Sequence, residues 1–156
     1  MKRTWMVAVV TMGLAMAAQA GMPLQIGLAG DPTQIFSSDS EITGLKLNLP
    51  YAENDIVTGL DLGLVSGGGE FSAIRVNVLN LSESRSSGLE IGALNWDSGD
   101  VVGLQIGLVN HAEYGHGLQL GLINYARHMH GLQIGLFNVI AHTHSAGALP
   151  FVNWDF

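Results

Sequence analysis

The sequence has no cysteine, four prolines and only 12% charged residues. Without cysteine there is no disulfide framework, no thiolate metal site, no cysteine nucleophile and no lipid-modified N-terminal cysteine. Few charges beside 47% hydrophobic residues exclude a solvated, disordered chain. Basic residues are scarcest, with six Lys and Arg against 13 Asp and Glu. Nucleic acid and anionic lipid head groups repel such a chain, so no nucleic-acid partner is expected. What the sequence has in excess is glycine, 21 in 156 residues. That length fits one domain with a real core.

Only one long apolar run occurs, over residues 5–17, after Lys2 and Arg3 and before Ala18-Gln19-Ala20. A basic start, a short apolar run and a small-x-small site make a secretory signal peptide over 1–20. The run is too short for the roughly 20 residues of a membrane span. Residues 21–156 then form the mature domain, with four basic residues against 13 acidic ones and a net charge of −9.

That domain reads as a tandem array. GLQIGLVN at 103–110 is followed by GLQLGLIN at 117–124 and GLQIGLFN at 131–138. Weaker copies begin at Pro23, Gly44, Gly59, Ala73, Gly88 and Ala146, making nine copies that start mostly 14–15 residues apart. One insertion, over residues 30–43, lengthens the first interval. Apolar residues hold positions two, four and six of the block. Position three is polar or charged in eight copies: Gln25, Lys46, Asp61, Arg75, Glu90, Gln105, Gln119 and Gln133. Strict alternation means β-strand, and glycine every fourth residue would weaken a helix by about 1 kcal/mol each. Asn ends the last six blocks, where its tolerance of left-handed backbone suits a turn.

The fold class is therefore all-β. A meander, one strand and one turn per copy, makes an antiparallel sheet of about nine strands that curls into a small barrel. The alternative is a β-solenoid, one parallel coil per copy. Reach favours the meander. An eight-residue strand spans about 23 Å, and the rest of a 14-residue coil barely returns that far. A solenoid must break the block into shorter strands. Pro150, inside the ninth block, marks an edge or seam.

Two orientations follow. With the Leu/Ile face inward, the product is a soluble barrel with an aliphatic core. With that face outward, Gly and Gln fill a narrow lumen and the chain is a small outer-membrane barrel. The three consecutive apolar positions fall short of a full lipid-facing band, and the strand-end aromatics Trp96, Tyr125 and Trp154 share parity with Gln and Gly. Both points favour the soluble form.

The GLQIGL(V/I)N blocks at their 14-residue spacing resemble the bacterial surface-repeat family of tandem GLQIGLVN-type units. The resemblance is tight over 88–138 and loose over 23–80 and 146–153. It implies an exported cell-envelope protein, in the periplasm, at the cell surface or in the outer membrane, with no catalytic residues to carry over. It also suggests the β-flower type of repeat barrel. Many members of that family are lipoproteins, from which this chain departs by having no cysteine.

Chemistry is sparse. No serine sits in a nucleophile elbow, Gly67-Gly68-Gly69 lacks the Lys-Ser/Thr of a phosphate loop, and the copies differ too little for one to carry catalysis. The expected protein is not an enzyme and needs no cofactor. It is a structural or interaction module with no named protein partner. All six histidines lie between blocks: His111, His116, His128, His130, His142 and His144. In a meander, alternate turns share a rim, so His111, His116, His142 and His144 would be the set for Zn or Ni in a periplasmic metal-binding alternative. The Gln row (Gln105, Gln119, Gln133) reads as a cross-strand hydrogen-bond network rather than a ligand site.

Overall fold

The computed structural model describes residues 21–143 and 147–156. The expected leader, residues 1–20, lies outside the described residues, and so does His144. The described chain is almost wholly extended. β1 is Met22–Gly27, β2 Glu41–Ser82, β3 Arg85–Ile91, β4 Leu94–Ile140 and β5 Ala148–Asp155. A single 3-10 turn, Asp31–Thr33, sits in the insertion after β1.

Two strands are far too long to be straight. β2 has 42 residues and would stretch about 140 Å at the strand rise. It winds instead. Glu70 pairs with Arg85 and Ala73 with Gly88, in parallel. Gly88 pairs with Gly103 and Glu90 with Gln105, again in parallel, as do Asn80 and Asn95. Each partner lies one block further on, so like stacks on like. Just past the end of β4 the relation continues, the Ala141 N–H donating to Ala126 O at 2.9 Å and the His142 N–H to Arg127 O at 2.8 Å. The five strands form one sheet in chain order, and only β5 runs antiparallel, against the last turn of β4.

The antiparallel meander is thus overturned, and with it the closed barrel of about nine strands; the all-β class holds. The eight-residue block is not one straight strand, so a coil has less distance to return. Between the outward pairs His116–Gly117 and Leu122–Ile123 only Gln119 is buried, and strict alternation breaks again at Arg127–His128. Two successive outward residues are a bend, so the straight piece is six residues and the return is short. The interior is also thin. A Cβ on Gly115 would lie 2.7 Å from Met129 Sδ and 3.8 Å from the Cβ atoms of Ala112 and Ala126. With glycine and alanine facing each other inside, the usual spacing of packed sheets is not needed.

The inward face is the second correction. Gln105, Gln119, Gln133 and every block-ending Asn from Asn80 to Asn153 are buried, whereas Leu108, Leu122 and Leu136 are about half exposed. The polar row lines the interior and the Leu/Ile row faces out. Among the described residues, two conventional apolar clusters lie towards the ends. Ile42, Val57 and Phe71 pack with Met22 and Phe36 at one end, and Ala126, Met129 and Ile140 pack towards the other. Pro150 falls where its sequence suggested a seam. β5 is the last strand of the sheet, and its register breaks between the partners of Gly135 and Asn138, where Pro150 lies. Next to it Phe151 takes φ 69°.

Candidate functional site

Three columns of side chains run along the coil. The first is the asparagine column. Asn80 Nδ2 donates to Asn95 Oδ1, Asn95 to Asn110 and Asn110 to Asn124, each at 2.7 Å, and Asn124 to Asn138 at 2.8 Å. Each amide spends its other proton on a carbonyl of the following turn: Asn95 on Ile106 O at 3.0 Å, and Asn110 on Leu120 O and Asn124 on Ile134 O, both at 2.9 Å. Both N–H groups are therefore satisfied, the condition under which a buried amide is tolerable. None of these Asn residues has positive φ; they ladder rather than cap turns. This explains position five. A Cβ on Gly107 would stand 2.9 Å from both Asn110 Oδ1 and Asn95 Nδ2, so only glycine leaves the ladder room.

The second column is position three. Gln133 donates to Gln119 and Gln119 to Gln105, both at 2.7 Å, which is the network expected of the Gln row. Beyond Gln105 the column becomes ionic and alternates in sign through Glu90, Arg75, Asp61 and Lys46. Arg75 Nη1 donates to Glu90 Oε1 at 2.7 Å and its Nε to Asp61 Oδ2 at 3.3 Å. Its guanidinium carbon lies 3.5 Å from the Phe71 ring centroid. Lys46 Nζ donates to Ser66 Oγ at 3.2 Å and Gly67 O at 3.1 Å. Burial lowers the Lys46 ammonium to about 8, against the pull of Asp61. A further acid joins from the next wall, for Asp97 is fully buried. Burial, and then the Glu90 charge, push Asp97 well above the usual carboxylate range. Burial also pushes Glu90 upward, but the Arg75 charge and the Ser86 hydroxyl outweigh it and hold Glu90 below its ordinary value. Two basic groups, Lys46 and Arg75, thus share the interior with three acids, Asp61, Glu90 and Asp97.

The signs of position three were visible in the sequence. Their burial was not, because a barrel with its Leu/Ile face inward puts position three in water. Asp97 and Ser86 gave no signal, since they lie outside the blocks, and Ser66 stands at the end of its block, where later copies have Asn.

The third feature is on the outer surface. Trp96, His111 and Tyr125 stack, with centroids 4.0 and 5.1 Å apart, and His111 Nδ1 lies 3.1 Å from Asp97 O. Tyr114 stacks on His128 at 5.0 Å, and His128 meets His142 at 4.6 Å. His116 meets His130 edge-on at 6.0 Å, and His130 meets Phe156 at 5.9 Å. The expected metal set is thereby divided: His111, His116 and His142 stand in three different columns. The parallel coil stacks histidines of successive turns instead, bringing His142 Nδ1 within 3.0 Å of His128 Nε2. Among the described residues, no three His, Asp or Glu side chains converge as a metal group. Arg127 and Glu113 pair at 2.6 Å on the same exposed face.

No protein-family model, curated protein or solved structure matches the chain.

Proposed function

We propose that this chain is an exported, non-enzymatic protein of the bacterial cell envelope, a β-solenoid of eight turns closed by one reversed strand, of the GLQIGLVN-type surface-repeat family, that serves as a structural and interaction module. The supporting observation is where the reactive groups are. Lys46, Asp61, Arg75, Glu90 and Asp97 are sealed inside and engaged with one another. The outer surface offers aliphatic rows on one side and stacked rings on another. A protein built this way works through its surface and its shape.

The address is the periplasm or the cell surface. An outer-membrane barrel is disfavoured because it needs a closed antiparallel sheet, while the pairings here are parallel up to β5. Fractionation of an exporting bacterium, with intact-mass measurement, tests the reading. The expected product begins at Gly21 and appears in the periplasm or at the cell surface. A cytoplasmic protein retaining residues 1–20 overturns it.

One observation favours a second reading, metal binding. The facing nitrogens of His128 and His142, 3.0 Å apart, are close to the separation of two ligands on one Zn or Ni ion. Such a site would use this pair rather than the set His111, His116, His142 and His144.

A further inference from the structure

In the eight turns that start from Pro23 to Gly131, block positions two, four and six are all Leu, Ile, Val or Ala. No polar residue interrupts these rows, which stand outside the sheet. Leu64, Val78, Leu108, Leu122 and Leu136 are each 45–55% exposed. Neighbouring rows lie two strand steps apart and successive turns one strand spacing apart, so the face measures roughly 18 by 38 Å, or about 700 Å². Soluble monomers rarely expose a continuous apolar patch larger than about 300–600 Å². This face needs a cover.

We infer that the cover is a second copy of this chain, packed face to face through these aliphatic rows. Three observations select it. The face matches itself: flat rows of aliphatic side chains at strand spacing interdigitate as the inner faces of two packed sheets do. Two copies bury about 1,400 Å² together, within the range of specific stable interfaces. The charge disfavours a membrane as the cover, because residues 21–156 carry −9 and bacterial lipid surfaces are anionic. The rings that anchor proteins at lipid interfaces, Trp96 and Tyr125, stack in a separate outward column with His111. The inference uses the face and the charge of the chain and not its address, so a cytoplasmic location would leave it intact.

Sedimentation equilibrium of residues 21–156 at micromolar concentration tests it. The expected species has twice the chain mass, and Leu108→Glu with Leu122→Glu returns it to one chain mass with an unchanged far-ultraviolet spectrum. A second measurement covers the case in which that variant does not fold. The chain has no cysteine, so Leu122→Cys and Arg127→Cys each carry a single thiol. At high protein concentration, labelling of the Leu122→Cys thiol is expected to slow at least tenfold relative to the dilute sample, with Arg127→Cys unaffected. A monomer in sedimentation, or equal protection of the two thiols, overturns the inference. Flotation of a monomer with phosphatidylglycerol vesicles would name lipid as the cover instead.

Discussion

Asp97 and Glu90 divide the two amide protons of Gln105, whose Nε2 donates to Glu90 Oε2 at 2.9 Å and to Asp97 Oδ2 at 2.6 Å. One amide thus holds two buried acids side by side, with Arg75 on their far side at 2.7 Å from Glu90 and 4.0 Å from Asp97. Asp97 Oδ1 has no hydrogen-bond partner.

This arrangement makes stability depend on pH with a definite sign. Asp97 is raised above 3.8 in the fold, so between 3.8 and its raised value the folded chain holds a proton that the unfolded chain has lost. Stability therefore falls as pH rises through that interval. Asp97→Asn keeps the shape and removes the titration. Urea midpoints measured from pH 4.5 to 7.5 are expected to decline for the native chain and to lie flatter for Asp97→Asn. Parallel declines would assign the effect elsewhere.

At alkaline pH the sign reverses. Lys46 is lowered from 10.5 to about 8, so between those values the unfolded chain binds more protons and stability rises with pH. Lys46→Met, which removes the titration, is expected to abolish the rise between pH 8.5 and 10. The same urea series checks it, and an unchanged slope would show that Lys46 does not titrate as its burial requires.

Interrupting the asparagine ladder in its middle should cost more than at its end. Asn110→Ala strands the Oδ1 or Nδ2 of both neighbours and the Leu120 carbonyl. With about 1–3 kcal/mol for each buried polar group left unpaired, the loss should be about 3 kcal/mol or more. Asn153, whose Nδ2 donates to Asn138 O at 3.3 Å, should cost about 1 kcal/mol when replaced by Ala. Equal losses in chemical denaturation would mean that the ladder is not cooperative.

The two faces should respond oppositely to charge. Gln119→Glu puts a carboxylate against Gln105 Oε1, which now accepts from Gln119 Nε2 at 2.7 Å. An unpaired buried charge should cost at least 3 kcal/mol. Glu at Leu136, half exposed, should cost less than about 1 kcal/mol of the folded unit's own stability. The reverse order in thermal melts would place the Leu row inside.

If the histidine pair holds a metal, it does so as a pair. Calorimetric titration with Ni²⁺ is expected to lose its heat in both His128→Ala and His142→Ala, and to keep it in His111→Ala, whose ring is stacked between Trp96 and Tyr125. Absence of heat with the native chain removes the metal reading.

Alternation alone made the strands legible from Gly44 to Asn153, and the seam at Pro150 was legible from its missing donor. The direction of pairing was not, because period-two alternation is the same in parallel and antiparallel strands. Nor was the inside. A pattern of Leu-Gln-Ile-Gly-Leu says that two faces differ, and the usual rule puts Leu within. Here the rule loses because Gln119 in one turn stands directly over Gln105 in another. An amide that is costly alone is satisfied by its own copy one turn away. The histidines misled for a related reason: His116 and His142 would share a rim only if turns alternated ends, and parallel turns do not.

The reversed strand β5 changes what the coil's two ends can do. Every parallel turn presents its successor with the same row of donors and acceptors, so an array of this kind has no internal reason to stop. By running backwards along Gly131–Val139, β5 meets that row out of phase and ends the series. Between β1 and β5 the length is free: one more turn inserted after Asn124 brings one amide for each ladder, donor and acceptor together, and leaves both ends untouched. The molecule is in that sense a measured rod, whose span a gene could reset by whole units without redesigning its interior.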